Sequence, residues 1–172
     1  MAFMKVLKKH LGNIVLIAVL AFVVVKQGPM YWKMWQKKGQ GAPSGEVLAL
    51  DTRSSLKLPL SQPHVLVFWA TWCPPCKVEL ARLNKMVEAG KIKPDQVLAI
   101  SVGEEAELVK QVAVEREYRF SVALDPEGRA GAAYGAAVTP TIVLVNADGT
   151  IGWMTMGLSP SLELRVASHL SE

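Results

Sequence analysis

The sequence has few of the residues that build metal and disulfide sites, since only two of its 172 residues are cysteine and only three are histidine. A structural zinc site usually needs four ligands, and His10, His64 and His169 show no ligand spacing to Cys73 and Cys76. No internal repeat or low-complexity tract is present either. These absences argue against a zinc protein, and we expect no cofactor and no metal.

Acidic residues are absent from residues 1–40, which carry seven lysines. The other 132 residues hold 12 basic and 15 acidic side chains, a formal charge of −3. The basic character of the chain therefore belongs to its N-terminal segment. It does not indicate nucleic-acid binding by the folded part, which has no basic-aromatic surface motif.

The N-terminal segment contains one uninterrupted apolar run, at residues 14–25. Extended to residues 11–30, it reaches about the 20 residues that a bilayer span needs. No convincing small-x-small cleavage site follows Val25, and Tyr31, Trp32 and Trp35 are typical of an interfacial aromatic belt. We expect a basic cytoplasmic N-terminus at residues 1–10 and an uncleaved signal anchor at 11–30, with a cleaved signal peptide as the alternative. Residues 31–45, polar and glycine-rich toward their end, predict a flexible tether to a folded domain at 46–172.

Hydrophobic patterning predicts alternating strands and helices in the folded domain. We expect strands at residues 47–50, 56–58, 65–67, 96–102, 121–125, 141–146 and 150–156, and helices at 76–89, 104–118, 126–135 and 161–170, the last opened by Pro160. The fully apolar run at 65–67 is typical of a buried central strand. This order predicts an α/β protein with a mixed sheet covered on both faces.

Cys73 and Cys76 lie where the central strand gives way to a helix. Unpaired backbone N–H groups and the helix dipole at such a junction favour a thiolate, which makes Cys73 the candidate nucleophile. Cys76 lies one helical turn further on the same face and can close a disulfide with Cys73. We expect it to be the less exposed, resolving partner.

Three other interpretations of the two cysteines stay open. The pair is a poor structural cross-link, because a loop of about four residues gains roughly 2 kcal/mol against about 3 for fifteen residues. A pair of inert core thiols does not fit the Trp-Cys-Pro-Pro-Cys context. A Cu(I)-binding module would use the two thiolates with Met154 and Met156, although those methionines share one side of a strand that faces a core.

Residues 68–77, together with Glu79 and the Val-Thr-Pro-Thr run at 138–141, resemble the thioredoxin superfamily. Within it they are similar to the membrane-anchored TlpA/ResA/CcmG-like branch of thiol:disulfide oxidoreductases, over a stretch from Gly45 to the C-terminus. Residues 157–165 are similar to the tail of ScsD-type proteins. The resemblance implies a thioredoxin-like fold, and the additional helix and strand at 104–125 correspond to an insertion of that branch.

The resemblance also implies roles for individual residues. Cys73 and Cys76 would be the redox-active disulfide, and Glu79 would move protons to and from the buried thiol. Trp72, Thr139 and Pro140 would bind substrate, with a cis bond before Pro140 that turns the Thr139 backbone toward a substrate strand.

One position departs from the thioredoxin pattern. Val67 stands where thioredoxin has a buried aspartate, so that second proton relay is missing and Glu79 gains importance.

The expected function is disulfide reduction by an enzyme anchored as a single pass in the bacterial inner membrane, with its catalytic domain in the periplasm. Neither Pro74 nor Pro75 has an N–H to donate to a Cys73 thiolate, and no histidine separates the cysteines, which favours a reducing pair over an oxidant or isomerase. The implied partners are a membrane thiol donor of the DsbD, CcdA or ScsB kind and substrate proteins with a disulfide. We expect a monomer.

Overall fold

The structure is a computed structural model that describes residues 2–170, with side chains in the first helix described from residue 13 onward except at 23, 27, 30, 31, 33 and 34. It divides into two compact units, the first ending at Gln36 and the second beginning at Lys37. The side chains of the predicted basic N-terminus and of Tyr31 lie outside the described ones.

The described part of the first unit lies in one helix, α1, which spans Ala2–Lys37 and contains Pro29. Its described large apolar side chains between Ile14 and Val25 are all exposed by more than half of their surface. Among the described residues, no helix combines the length and hydropathy required to cross a bilayer.

The second unit is organised around a seven-stranded sheet. Its strands are β1 (Gly45–Ala49), β2 (Ser55–Leu58), β3 (His64–Trp69), β4 (Val97–Val102), β5 (Ser121–Asp125), β6 (Thr141–Val145) and β7 (Ile151–Met156), in the order β2-β1-β5-β4-β3-β6-β7. The flanking helices are α2 (Pro74–Glu88), α3 (Ala106–Glu115), α4 (Arg129–Tyr134) and α5 (Leu162–Leu170). Strands β3, β4 and β5 run parallel, while β1, β2, β6 and β7 pair antiparallel with their neighbours. The predicted mixed α/β architecture is confirmed.

The centre of the core is β3, in which every residue is buried. Its branched apolar side chains suit a strand that is covered on both faces. On the face with α2 and α5, Trp69 packs edge-on against Tyr118. The prediction that residues 65–67 form a central buried strand is confirmed, and Trp69 at the end of the strand is fully buried as well.

Several boundaries differ from the predicted ones. α2 begins two residues earlier, because Pro74 and Pro75 occupy the first helical turn, where a missing N–H costs nothing. α5 begins at Leu162 and not at Pro160, because residues 160 and 161 form a turn that precedes the helix. α3 is limited to Ala106–Glu115, between Gly103 and Glu117, which both have positive φ.

The segment predicted as a tether is partly ordered against the sheet. Gly39 N donates to Ile151 O at 2.7 Å, Ile151 N to Gln40 O at 2.8 Å and Ala42 N to Gly149 O at 2.8 Å. Residues 39–42 therefore run beside the start of β7 and satisfy its backbone groups. This pairing joins residues more than a hundred positions apart, which local composition does not reveal.

Candidate active site

The candidate site lies in the loop between β3 and α2. Cys73 is the N-cap of α2, with an extended backbone (φ −90°, ψ 104°), and its sulfur accepts the Cys76 N–H at 3.2 Å. An N-cap side chain normally accepts from the second or third helical N–H, but Pro75 at the second position has none. The Cys76 N–H is therefore the donor that this helix end offers to the sulfur. This donor was not predicted from the sequence.

Cys73 and Cys76 form a disulfide with an S–S distance of 2.07 Å and a Cα–Cα distance of 5.3 Å. Cys73 is 3% exposed and Cys76 is fully buried, so Cys73 is the more accessible, as predicted. Trp72, directly before the pair, is 73% exposed and lies on the surface beside it.

The sheet brings the predicted Thr139–Pro140 element to the same edge as the disulfide. Phe68 of β3 pairs with Thr141 of β6, so the residues after β3 and those before β6 leave the sheet together. The Thr139–Pro140 bond is cis, as the resemblance implied, and Pro140 O accepts the Gly157 N–H at 2.7 Å. A second cis bond, Leu58–Pro59, was not predicted.

Exposed apolar side chains surround this edge. Val138 and Leu158 are exposed by 49% and 56%, and each adjoins the edge, since Thr141 pairs with Met156 of β7. Together with Trp72, which follows β3 at the same edge, these exposed side chains are called the apolar rim below. Such a rim is suited to an extended polypeptide.

Glu79 has a fully buried side chain that is held by α2 and by the loop after β7. Its Oε2 accepts from Arg82 Nη1 at 2.9 Å, and its Oε1 accepts the Ser159 N–H. Arg82 also donates to Ser159 O at 2.7 Å and to Glu163 Oε1 at 3.0 Å. Both carboxylate oxygens thus have partners in a network that joins α2 to α5, and none of the described hydrogen bonds of Glu79 reaches a cysteine. Proton transfer by Glu79 stays a prediction.

Glu104 contacts the active-site loop from the turn after β4, and sequence reasoning did not find it. Its oxygens accept the Thr71 N–H at 2.9 and 3.1 Å and the Ser101 hydroxyl at 2.6 Å. The Thr71 hydroxyl also donates to Glu104 Oε1. Since β3 and β4 are parallel neighbours, their carboxyl ends bring Thr71 and Glu104 together.

Metal ligation is not apparent in the described part of the chain, which contains no group of three or more His, Cys, Asp or Glu residues placed to hold an ion. Met154 is 7% exposed and belongs to the core, and Met156 is half-buried. The core position predicted for Met154 is confirmed.

Known proteins resemble this chain in sequence and in fold. A thiol-disulfide oxidoreductase ResA from Bacillus thuringiensis subsp. konkukian is 31% identical over 114 residues, which cover 66% of each chain. The chain thus spans just under two thirds of that relative's length. A thioredoxin-like protein from Haemophilus influenzae is 31% identical over 124 residues, 71% of each chain.

Among solved structures, a putative thiol:disulfide interchange protein DsbE from Chlorobium tepidum superposes with a TM-score of 0.68 at 27% identity, over 77% of this chain and 97% of that one. The thioredoxin-like fold is thereby confirmed. Residues 39–154 match the AhpC/TSA family. Because that match covers more than half of the chain and includes the strand, loop and helix that carry the disulfide, this chain belongs to the AhpC/TSA family.

Proposed function

We propose that this chain is a thiol:disulfide oxidoreductase that reduces disulfides in substrate proteins. The observation that carries the proposal is the Cys73–Cys76 disulfide at the N-terminus of α2, at the edge where cis-Pro140 also lies. A relative of similar sequence is named a thiol-disulfide oxidoreductase, and a solved structure of similar fold is named a putative thiol:disulfide interchange protein. Cys73 is the nucleophile and Cys76 the resolving cysteine, since Cys73 is the more exposed of the two.

The reaction transfers two electrons from the reduced pair to the substrate. The Cys73 thiolate attacks one sulfur of a substrate disulfide, forms a mixed disulfide and releases the other substrate sulfur as a thiolate. Cys76, after losing its proton, attacks the Cys73 sulfur and releases the second substrate thiolate. The products are a reduced substrate and the Cys73–Cys76 disulfide, the state that the structure contains.

The reducing direction is supported by the cap of α2. A pair becomes oxidising when the protein strongly stabilises the thiolate of the reduced form. Pro74 and Pro75 contribute no N–H, which leaves the Cys76 N–H as the helix-end donor to Cys73. Because fewer donors stabilise the thiolate less, the equilibrium between dithiol and disulfide favours the disulfide. The reduced pair therefore gives up electrons readily.

Trp72, Thr139 and Pro140 are proposed to bind the substrate polypeptide beside Cys73. The exposure of Trp72 and the apolar rim support this role. Glu79 is proposed to serve proton transfer at Cys76, supported by its burial one helical turn after that cysteine.

The protein is proposed to be attached to the bacterial inner membrane through residues 11–30, with the catalytic domain in the periplasm, in the manner of the TlpA/ResA/CcmG-like branch. The exposed apolar side chains between Ile14 and Val25 support attachment, because such a surface is unfavourable in water. A membrane thiol donor of the DsbD, CcdA or ScsB kind would restore the dithiol. An oxidising compartment is where disulfide substrates persist.

The order of attack is tested by trapping the mixed disulfide. The full chain carrying Cys76→Ser is reduced and mixed with a disulfide-bonded protein, and the products are separated without reductant. We expect a mixed disulfide through Cys73 to accumulate, because no resolving thiol is present. The matched variant Cys73→Ser, whose remaining thiol is fully buried, is expected to form little. Trapping by Cys73→Ser instead, or by neither variant, would overturn the assignment.

A further inference from the structure

We propose that Glu104 is a positioning residue for the redox pair: it holds Thr71, and through it the loop that carries Cys73. This inference rests on the proposed function and adds a residue that acts on the cysteines without touching them. It is supported by the hydrogen bonds of Glu104, by the lack of a cation partner among the described ion pairs, and by the position of Thr71 in the chain.

The carboxylate of Glu104 is satisfied by hydrogen-bond donors of the active-site loop and of β4, and not by a cation. Both of its oxygens accept the Thr71 N–H. It also accepts hydrogen bonds from the Thr71 hydroxyl and from the hydroxyl of the fully buried Ser101. None of the described ion pairs involves Glu104. Hydrogen bonds to a charged acceptor are about twice as strong as neutral ones. This carboxylate therefore binds its loop more firmly than a neutral acceptor would.

The hydrogen bonds of Glu104 hold the loop close to Cys73. Thr71 is two residues before Cys73 and 6% exposed, and Cys73 N donates to Ala70 O at 3.2 Å in the same turn. The loop is thus held on one side by β3, on the other by α2, and in the middle by Glu104. A shift of Thr71 would move the Cys73 backbone.

Glu104 itself has a fixed place. It follows Gly103, whose φ is +69° and whose N–H donates to Asp125 O at 3.0 Å. It precedes Glu105, the N-cap of α3. The turn is therefore anchored to β5 and α3, elements that do not belong to the redox loop.

The consequence is a contribution to the redox equilibrium. Reduction breaks the Cys73–Cys76 bond, but the Glu104–Thr71 bonds include neither sulfur and do not depend on it. They keep the Cys73 backbone in register with Cys76 in the dithiol form, which raises the effective concentration of one sulfur at the other. Closure of the disulfide is favoured, and the pair is a stronger reductant.

The test is the equilibrium of the full chain with reduced and oxidised glutathione, in which two glutathione thiols reduce the protein disulfide and one glutathione disulfide forms. We expect Glu104→Ala to lower the equilibrium constant for the Cys73–Cys76 disulfide about tenfold, a potential about 30 mV less negative. Glu104→Gln keeps an acceptor oxygen for Thr71 and is expected to stay close to the wild type. Glu105→Ala is the matched control, because this neighbouring side chain is exposed and makes no capping hydrogen bond.

Two results would overturn the proposal. One is a wild-type potential in Glu104→Ala with only the melting temperature lowered, which would mean a purely structural role. The other is an equal shift in Glu105→Ala. If Glu104→Ala does not fold, Thr71→Val is the deciding variant, because it removes the hydroxyl donor to Glu104. A reduction potential that shifts in the same direction supports the proposal, and an unchanged potential overturns it.

Failure of the proposed function would look different. Glutathione equilibration needs no protein substrate, so a wild type that did not exchange with protein disulfides would refute the function and leave this test of Glu104 intact.

Discussion

At the scale of single residues, the chemistry of the pair depends on which backbone N–H groups face the Cys73 sulfur. Pro74 and Pro75 hold the first two positions of α2, and the Cys76 N–H at the third donates at 3.2 Å. Only the second and third N–H groups of a helix reach an N-cap side chain. The two prolines are therefore unequal, although the sequence shows them as a repeated residue.

This inequality predicts opposite results for two similar variants. Pro75→Ala supplies a second-position N–H that donates to a Cys73 thiolate, and a hydrogen bond to a charged group contributes about 1.5–3 kcal/mol. We expect the potential to become less negative by roughly 30–65 mV, since 30 mV corresponds to about 1.4 kcal/mol. Pro74→Ala, the control, adds a first-position N–H that does not reach the sulfur, and is expected to leave the potential unchanged. Equal potentials in both variants, measured against dithiothreitol buffers, would contradict this view of the cap.

At the scale of elements, the Glu79–Arg82 network joins α2 to the loop before α5. Glu79 is fully buried, while Arg82 is a quarter exposed and also binds the Ser159 carbonyl and Glu163. Removing one partner of a buried pair leaves the other uncompensated, at about 3–5 kcal/mol when both are buried. The partial exposure of Arg82 reduces this to about 1–3 kcal/mol.

We therefore expect Glu79→Gln and Arg82→Gln each to lower the free energy of unfolding by about 1–3 kcal/mol in urea titrations. Arg119→Gln, which breaks an exposed pair with Glu88, serves as the control and should change it by less than about 1 kcal/mol. The proposed proton-transfer role of Glu79 has a separate test. Only Glu79→Gln should change the pH profile of disulfide exchange, and an identical change in Arg82→Gln would assign both effects to the network.

The first residue of β3 predicts a pH dependence of stability. His64 is fully buried, its Nδ1 donates to Gln62 O at 2.6 Å, and its Nε2 has no partner in the described structure. Burial lowers the pKa of His64 below its usual value, while the Gln62 carbonyl opposes this and His169 adds to it. Because the pKa is lower in the folded state, the unfolded chain binds the proton first as the pH falls.

The stabilisation from neutral His64 is therefore complete above about pH 6.5 and is lost below it, by up to about 1.4 kcal/mol per pH unit. We expect the free energy of unfolding of the wild type, measured in urea, to fall between pH 7 and pH 5.5. His64→Leu should show a smaller decrease over the same range. A wild-type pH dependence in His64→Leu would show that other groups cause it.

Structure that depends on neighbouring residues was predictable from the sequence, whereas contacts between distant segments were not. The buried β3, the α2 helix and the β6–β7 hairpin follow from patterns within a dozen residues, and the sequence predicted each of them. The Thr71–Glu104 bonds span 33 residues and the Glu79–Ser159 bond spans 80, and both depend on which strands become neighbours. No short-range pattern encodes them. The Thr139–Pro140 isomer was predictable through its family resemblance, whereas Leu58–Pro59 carries no comparable motif.

At the scale of the whole molecule, the chain combines two parts of opposite charge. Residues 1–40 carry seven lysines and no acids, and the remaining residues carry a formal charge of −3. If residues 11–30 hold the protein in the membrane, the full chain should stay in the membrane fraction after an alkaline carbonate wash. A chain that begins at Lys37, the start of the second unit, should be released and still exchange disulfides.

Recovery of the full chain in the soluble fraction would contradict membrane attachment. The same experiment separates attachment from catalysis, because the two variants share the Cys73–Cys76 site and differ only in the N-terminal unit.

Whether Cys73 and Cys76 form a reducing pair is decided by the equilibrium reduction potential of the wild-type chain. The wild-type protein would be titrated in glutathione or dithiothreitol buffers, with the oxidised fraction followed by thiol alkylation. We expect a potential near that of thioredoxin, about −270 mV, because few donors stabilise the Cys73 thiolate and Glu104 is proposed to hold the loop for closure. A potential near that of DsbA, about −120 mV, would contradict it and make the protein an oxidant.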